Sequence, residues 1–493
     1  MSLHSKVAVA VAAALTSSVA LAAPGTWTPL APGSFSGTTG LTLNIAGSSA
    51  ARDMIILNMD QQLCDRNVGG NWTSQTAPTG GTDSLAFYKV TGDGDLRIFT
   101  CTLKGGADGS LLPSVITNTT NIAGKNLLVY YRSDGGSVWG LIGALRGTQI
   151  IRADFTTSAG ALNPGVPTVT NDASAYTYGA VTGTYSITTA ATTDGVTTGT
   201  GSVALDTVLL GVQDVDVNNY TSSTNWPTTI KVAGAALNST EVTNETNGDF
   251  VTVGQIFGIM VNKSPGFTST TSPPIADQSI SYADLAGIFT HTYTDWSQVP
   301  SLKGSGVTGA LTICRRDIGS GSHVTVATHI LNTGCGRGSQ TFTSTLSSAS
   351  GTTPLFNSST GKEQTCVNGN NGTIGYSSYD DTASFQTANP NIYWLRIDGV
   401  APGKLNAASG TYTLWEELHF LPNATSLPLA PQATQDFVAG LQQLFQTQPA
   451  PSAASTISLS ETAINTAVDP PVSPNWVALG GHANTCAAMT NAH

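Results

Sequence analysis

The chain has 493 residues and a formal net charge of −11, and only 10% of its residues are charged. This charge opposes nucleic acids and anionic membrane surfaces, so neither is expected as a partner. The length exceeds what one hydrophobic core usually holds, which predicts at least two domains.

The first residues have the features of an export signal. Lys6 precedes an apolar run over residues 7–15, and small residues follow at 20–22, where signal peptidases cleave. The run is shorter than the roughly 20 residues that span a bilayer, so a membrane anchor is the poorer interpretation. We expect a signal peptide over residues 1–22, no membrane insertion of the mature chain, and a location in the periplasm or outside the cell.

Two strand–turn–helix units follow in the first half of the chain. In the first, residues 41–45 alternate as a strand does, and Ser48 and Ser49 then open a helix. In the second, the strand 127–131 is followed by a Gly/Ser turn and an apolar helix over 138–145. Such turns direct backbone N–H groups and hydroxyls toward one point and can bind anions, although a Ser at a helix start can also be an ordinary N-cap.

Residues 148–203 are rich in Thr, Gly, Ala and Ser, with weak alternation. We predict a β-rich surface insertion, and a neutral solvated insertion is favoured over a surface for binding a partner. After it, residues 208–213 form an apolar strand that leads into Asp214, and residues 254–262 form a second, continuous apolar strand.

A third strand–turn–helix unit has the most complete set of anion-binding groups. Residues 311–314 form a strand, and a Gly/Ser turn then opens a helix over 324–331. Arg316 offers a two-pronged guanidinium, while Ser320 and Ser322 add hydroxyls around the turn glycine Gly321. These are the parts of an oxyanion site, although the turn alone is equally typical of an N-cap.

Six cysteines in an exported chain favour disulfide bonds. The spacing leaves several pairings open. We prefer Cys64 with Cys101 and Cys335 with Cys366, because each pair brackets one local unit. Neither a CxxC nor an HExxH motif occurs, so neither a metal nor a cofactor is predicted.

The order of three motifs resembles the phosphate-binding proteins of bacterial ABC importers. The helix pattern over 282–290 with a following Trp296 comes first, then the Arg316 turn, then Gly-Thr-Ile-Gly-Tyr at 372–376. The resemblance is clear over residues 254–420 and looser before them. It implies an α/β periplasmic-binding-protein fold of type 2, in which two lobes, each a mixed sheet flanked by helices, enclose a ligand cleft. The β-rich insertion lies in the first lobe.

The resemblance also implies lobe boundaries. The first lobe would cover residues 23–258, the second 259–409, and residues 410–493 would return to the first lobe and end in a tail.

The resemblance further implies the ligand-binding residues. Asp214 takes the place of an aspartate that accepts a hydrogen bond from a protonated phosphate oxygen, which would favour phosphate over sulfate. The other positions that match the family's binding loops are Ser48, Ser49, Ser133, Gly135, Arg316, Ser320, Gly321 and Ser322.

One position departs from the family pattern. The family has an aspartate two residues after its anion-binding arginine, but here that place is Ile318 and the acid stands at Asp317. Either Asp317 bends back onto Arg316 or Arg315, or the arginine is held less firmly.

The function implied is an exported, monomeric solute-binding protein that captures inorganic phosphate or a related oxyanion, delivers it to an ABC permease and is not an enzyme. One alternative is a secreted interaction or surface protein that kept the fold and changed or lost the ligand. The other is a secreted phosphatase, for which the sequence shows neither a nucleophile with its base nor metal ligands.

Overall fold

The structure is a computed structural model. It describes residues 38–65, 86–90, 93–105, 111–133, 136–147, 149–154, 187–189, 202–221, 226, 235–267, 279–331, 355–357, 359–380, 383–408, 410–447 and 456–458. The predicted signal peptide lies outside these ranges.

Strands and helices alternate along much of the described chain. The strands are β1 (Gly40–Gly47), β2 (Ala86–Val90), β3 (Asp93–Thr102), β4 (Asn126–Arg132), β5 (Gln149–Asp154), β6 (Ile187–Thr189), β7 (Ser202–Thr207), β8 (Leu210–Gln213), β9 (Phe250–Asn262), β10 (Ser279–Ile280), β11 (Thr312–Arg316), β12 (Leu355–Asn357), β13 (Thr373–Ser378), β14 (Ile392–Trp394), β15 (Arg396–Ile397), β16 (Trp415–Pro422) and β17 (Thr456–Ser458). The helices are α1 (Arg52–Asn58), α2 (Ser137–Arg146), α3 (Ser239–Gly248), α4 (Tyr282–Phe289), α5 (Gly321–His329), α6 (Thr360–Gly369), α7 (Ala383–Ala388), α8 (Lys404–Ala408) and α9 (Gln432–Thr447).

One sheet of 13 strands runs through the described part of the molecule. Its main path has the order β12-β11-β13-β9-β16-β8-β1-β4-β3-β2-β6, and β14 and β17 both pair with β9. Strands β4, β1 and β8 are parallel neighbours, and so are β12, β11 and β13. Within each parallel group the carboxyl ends of the strands therefore lie at one edge of the sheet.

Strand β9 connects the two parallel groups through antiparallel pairings. Its first half, up to Ile256, pairs with β16, and its second half, from Phe257, pairs with β13 and β14. Strand β16 in turn pairs with β8 of the other group. The sheet is therefore continuous across the two halves of the molecule, which we call the first lobe (the β1 side) and the second lobe (the β11 side).

Each lobe has its own apolar core. In the first lobe, side chains of β1, β4 and β8 pack with α1 and α9, and a further cluster surrounds α2. In the second lobe, β9, β11 and β13 pack with α4, α5 and α6 around Trp296. Helices that cover a mixed sheet with parallel groups of strands are an α/β arrangement, so the prediction of a two-lobed α/β fold is confirmed.

The region 148–203 contains strands in its described part. Strand β5 pairs with β7, which ends just beyond the region at Thr207, in a separate antiparallel ladder, while β6 extends the main sheet next to β2. In the described ranges, no helix combines the length and apolar character needed to cross a bilayer.

Two disulfides connect described residues. Cys64 bonds Cys101, the pair that the sequence favoured. Cys366, however, bonds Cys314, so the preferred pairing with Cys335 is wrong. The reason is tertiary: α6 packs beside β11, which brings Cys366 to a strand that lies 52 positions earlier in the chain. Cys335 and Cys486 lie outside the described residues.

Candidate functional site

Four strand–turn–helix units of the two lobes meet at one place. The turns follow β1, β4, β11 and β12 and lead into α1, α2, α5 and α6. Strands β8, β16, β9 and β13 are successively antiparallel, so the two parallel groups run in opposite directions and their carboxyl ends face each other near the middle of β9. The turns that begin there present backbone N–H groups and hydroxyls toward each other from the two lobes. This is where ligands bind in open α/β sheets.

A buried carboxylate forms the first-lobe side of the site. Asp214 follows β8 and accepts hydrogen bonds from the hydroxyl of Ser48, at 2.7 Å, and from the hydroxyl of Ser137. Ser48 Oγ in turn accepts from the backbone N–H groups of Ala50 (3.1 Å) and Ala51 (3.2 Å). Burial raises the pKa of Asp214, and the hydrogen bonds from Ser137 and Ser48 oppose that rise. A carboxylate has about four lone-pair sites, so these two bonds leave room for further donors.

A buried guanidinium forms the second-lobe side. Arg316 is 1% exposed, and its Nη1 donates to the hydroxyls of Thr360 (3.0 Å) and Ser322 (3.4 Å). Its Nη2 donates to Ser49 Oγ at 3.2 Å, and its Nε donates to the Asn357 carbonyl at 3.3 Å. The bond to Ser49 crosses between the lobes, so one guanidinium connects hydroxyls from both sides of the site.

Ser49 makes a second connection between the lobes. Its Oγ accepts from the backbone N–H of Thr360 at 3.1 Å and lies 2.9 Å from Thr360 Oγ1. Ser49 stands in the turn before α1, and Thr360 is the first residue of α6. A hydroxyl of the first lobe and a hydroxyl of the second lobe are therefore hydrogen-bonded to each other.

Glu363 is the carboxyl group that lies beside the guanidinium of Arg316. Its Oε2 lies 3.8 Å from Arg316 Nε, its Oε1 accepts the backbone N–H of Tyr376 at 2.9 Å, and both charged side chains are buried. Burial raises the pKa of Glu363 well above its usual value, and the nearby Arg316 opposes this. The sequence predicted either that Asp317 bends back onto Arg316 or Arg315 or that the arginine is held less firmly. The carboxyl group found beside Arg316 Nε is Glu363, which lies on a different element.

A phenol and an imidazole support the Arg316 backbone. The hydroxyl of Tyr376 accepts the backbone N–H of Arg316 at 3.2 Å and lies 2.8 Å from His323 Nδ1. Burial lowers the pKa of His323 well below its usual value, and the charges of Arg315 and Arg316 add to the effect. The unprotonated nitrogen of a neutral imidazole is an acceptor, so burial keeps His323 in a form that can accept a hydrogen bond from the Tyr376 hydroxyl.

Two glycines allow the lobes to touch. A Cβ on Gly321 would overlap the Asp214 carboxylate and lie 2.6 Å from Ser137 Oγ. A Cβ on Gly136, whose φ is +71°, would lie 2.7 Å from Ser320 Cα. Since real Cβ atoms essentially never come within 3.0 Å of another residue, only glycine fits at either place. The close contact of the two lobes therefore depends on glycine, which has no side chain, at both positions.

Backbone groups complete the contact. The carbonyl of Gly319 in the second lobe accepts the N–H of Val138 and the hydroxyl of Tyr220 from the first lobe, each at 3.1 Å.

Most of the residues proposed from the sequence lie in this contact. Ser48 and Asp214 form one hydrogen-bonded group, and Ser49, Arg316 and Ser322 form another. Ser320 and Gly321 lie directly against the first lobe. The remaining two are Ser133 and Gly135.

Ser133 is buried, and its hydroxyl accepts from Nη1 of Arg52 at 3.1 Å, so its described hydrogen-bond partner is within the first lobe. Gly135 lies outside the described residues. Sequence reasoning missed Arg52, Ser137, Thr360 and Glu363. The sequence did contain a signal for Thr360 and Glu363, because residues 355–361 repeat the strand–turn–helix pattern, with Ser and Thr in the turn that leads into α6.

These features define a class of protein: a two-lobed α/β protein in which a guanidinium, several hydroxyls and a carboxylate are buried where the lobes meet. Such a set can replace the hydration shell of a small oxyanion with short charge-assisted hydrogen bonds.

Sequence comparison finds relatives over part of the chain. The chain is 33% identical over 124 residues to "Alkaline phosphatase L" of Pseudomonas aeruginosa, which covers 24% of this chain and 31% of the relative. It is 32% identical over 216 residues to the protein of that name from strain UCBPP-PA14, covering 40% and 53%. The chain therefore spans about a third and about half of the length of these relatives. No protein-family model matches it.

Solved structures show a distant likeness. A high-affinity periplasmic phosphate-binding protein, PfluDING, is 13% identical with a TM-score of 0.41, covering 86% of this chain and 91% of that one. A phosphate-binding protein from Stenotrophomonas maltophilia is 14% identical with a TM-score of 0.35, covering 78% and 79%. An ABC-type phosphate transport receptor from Vibrio cholerae is 18% identical with a TM-score of 0.29, covering 48% and 74%.

Proposed function

We propose that this protein is an exported solute-binding protein that captures inorganic phosphate, or a closely related oxyanion, between its two lobes. The observation that carries the proposal is the buried Arg316–hydroxyl group on one side of the lobe contact, facing Asp214 on the other. The guanidinium supplies positive charge that the net charge of −11 does not. Ser48, Ser49, Ser133, Gly135, Ser320, Gly321 and Ser322 are the further ligand-binding positions of the proposal.

Asp214 gives the proposed site its selectivity. An ionised carboxylate only accepts hydrogen bonds, so it favours an anion that carries a proton, as phosphate does near neutral pH and sulfate does not. The hydroxyls of Ser48 and Ser137 already donate to this carboxylate, which fixes its orientation.

Capture would serve uptake. Residues 1–22 would direct export, the mature monomer would work in the periplasm or outside the cell, and an ABC permease would receive the anion. The lobe boundaries of the proposal are those expected from the sequence, at residues 258/259 and 409/410.

The test is a calorimetric titration of the full mature chain with inorganic phosphate. Arg316→Ala should weaken binding by roughly 2–4 kcal/mol, because a desolvated charged partner is removed while the other groups remain. Arg146→Ala is the matched control, since it removes a guanidinium that pairs with Glu241 at the partly exposed end of α2. No binding by the unmutated chain would instead favour the interaction or surface protein, and unchanged affinity in Arg316→Ala would remove this residue from the site.

The second candidate is a phosphomonoesterase, which the similarity to alkaline phosphatase L favours. The hydroxyl of Ser137 donates to Asp214, so the pair has the arrangement of a nucleophile with its base. Ser137 Oγ would form a bond to phosphorus while its proton passes through Asp214 to the departing alcohol. Water would then cleave the phosphoserine and release phosphate.

Turnover separates the two candidates. A binding protein leaves p-nitrophenyl phosphate intact, whereas the esterase releases nitrophenol and loses this activity in Ser137→Ala. Activity that persists in Ser137→Ala would point to a contaminating enzyme or to a different nucleophile.

A further inference from the structure

A largely buried group of acidic side chains and one imidazole lies beside β8. Glu245 is in the last turn of α3, Asp249 caps the end of that helix, and His419 lies on β16. His419 Nδ1 is 2.5 Å from Asp249 Oδ2, and Gln213 Nε2 donates to Glu245 Oε1. One ligand atom from each of Glu245, Asp249 and His419 lies within 4.8 Å of the others. We call these three residues the α3 cluster.

The local structure explains why the three side chains meet. Glu245 and Asp249 are four positions apart at a helix end, and the N–H of Asp249 donates to the Glu245 carbonyl at 2.8 Å, so both side chains are on one side of the helix. His419 is directly opposite Gln213 in the β16–β8 pair, so these two side chains share a face of the sheet. The hydrogen bond from Gln213 to Glu245 shows that α3 covers that face.

The surroundings of the α3 cluster contain more acid than base. Asp216 and Glu417 are also buried, and the charge of each acts on His419. Among the ion pairs of the described residues, none brings a lysine or an arginine to Glu245, Asp249 or Glu417. Within the part of the chain that the structure describes, His419 is the one basic group that pairs with them, through Asp249, and burying several carboxyl groups against a single imidazole is costly.

One buried carboxylate oxygen at the cluster, Oε2 of Glu417, also has no hydrogen-bond partner within the described residues. The Glu417 side chain is more than nine-tenths buried, with an exposure of 6%. The ion pair between His419 and Asp249 does not satisfy this oxygen. A cation that drew Glu417 toward it would satisfy the oxygen and offset the negative charge that the buried carboxyl groups acquire when they ionise.

We propose that the α3 cluster is a binding site for a divalent transition-metal cation of the Zn²⁺ type. One imidazole nitrogen with carboxylate oxygens is a donor set that suits Zn²⁺ and its neighbours, whereas Ca²⁺ and Mg²⁺ take oxygen ligands alone. Nδ1 of His419 and one oxygen each of Glu245 and Asp249 are the protein ligands, with Glu417 or water in the fourth position. Because ligand atoms held at roughly 2.0–2.1 Å from Zn²⁺ lie about 3–3.5 Å apart, His419 and Asp249 must separate slightly on binding.

The proposed metal would join α3 to the returning strand β16. In this role it acts as a clamp on the first lobe, and the proposal does not depend on what binds at Arg316. Binding requires a neutral His419 and ionised carboxylates, so it releases protons and strengthens as pH rises.

The test is direct metal titration of the full mature chain after removal of metals with a chelator. We expect one equivalent of Zn²⁺ by calorimetry and, with Co²⁺ as a probe, visible absorption bands that saturate at the same ratio. Glu245→Gln and His419→Gln should each weaken binding at least about 100-fold, beyond the roughly 10–100-fold that changes outside the ligand set produce. Glu245→Gln keeps the oxygen that accepts from Gln213, so circular dichroism should show an intact fold.

The matched control is His329→Gln. His329 Nε2 pairs with Glu416 Oε1 at 2.8 Å, so this change removes a histidine–carboxylate pair of the same chemistry that lies outside the α3 cluster. It should leave the metal affinity unchanged. Absence of stoichiometric binding by the unmutated chain, or unmutated affinity in folded Glu245→Gln or His419→Gln, would overturn the proposal.

Discussion

Replacing Gly321 with alanine tests whether the close approach of the lobes is required for binding. The added methyl group would overlap the Asp214 carboxylate and lie 2.6 Å from Ser137 Oγ, where even 3.0 Å is essentially never observed. Both neighbours are buried and hydrogen-bonded to each other, so they cannot simply rotate away. The simplest relief is for α5 to move back from the first lobe.

The expected cost falls on the closed state alone. Overpacking of a tight contact costs typically about 1–3 kcal/mol, and the separated lobes do not feel it. If phosphate binds only between closed lobes, its affinity should fall by the same amount, roughly 5- to 150-fold, while the free energy of unfolding of each lobe changes little. Small-angle scattering should show a larger radius of gyration than the unmutated chain at the same phosphate concentration.

Gly361→Ala is the matched control for this experiment. Gly361 follows Thr360 in the first turn of α6, and an added Cβ there meets no atom within 4 Å. Alanine also favours a helix over glycine by about 1 kcal/mol, so stability should hold or rise slightly. If Gly321→Ala binds phosphate as tightly as the unmutated chain and scatters identically, or if Gly361→Ala loses as much affinity, the glycine contact has no role in closure.

Two further changes test separate parts of the structure. Asp214→Asn should relax the preference for phosphate over sulfate, because an amide can donate to an anion that has no proton, and competition calorimetry with both anions measures this; sulfate that already competes equally in the unmutated chain would refute the role of Asp214. Replacing both Cys314 and Cys366 with alanine opens a disulfide that spans 52 positions and should lower the free energy of unfolding by about 4 kcal/mol, as loop-closure entropy predicts. Denaturant unfolding with an unchanged midpoint would show that this bond contributes no stability.

The strand–turn–helix units were predictable because their signals are local. An alternating strand, small turn residues and an apolar helix stand within about 20 residues of each other, and β1 with α1, β4 with α2, and β11 with α5 formed where the pattern indicated. The resemblance of the Arg316 motifs to a known family then suggested that the turns converge. The periodicity of the sequence alone does not show which turns of the two lobes come into contact.

The features that sequence reasoning missed depend on packing between distant elements. Glu363 reaches Arg316 because α6 lies beside β11, and the same packing brings Cys366 to Cys314 rather than to Cys335. The α3 cluster likewise brings Glu245 together with His419, which lies about 170 positions later in the chain, on β16, a strand antiparallel to β8. In each case the spacing along the chain was uninformative, because the contact is created by the order of strands in the sheet.

The hydrogen bonds of Ser49 have a kinetic consequence. Its hydroxyl joins Arg316 and Thr360 of the other lobe, and Gly319 accepts two more bonds across the same boundary. A small anion enclosed behind these bonds would leave only after they break together. Its residence time would then be set by how often the lobes separate. Anions of different affinity would share one escape rate and differ mainly in how readily they are captured.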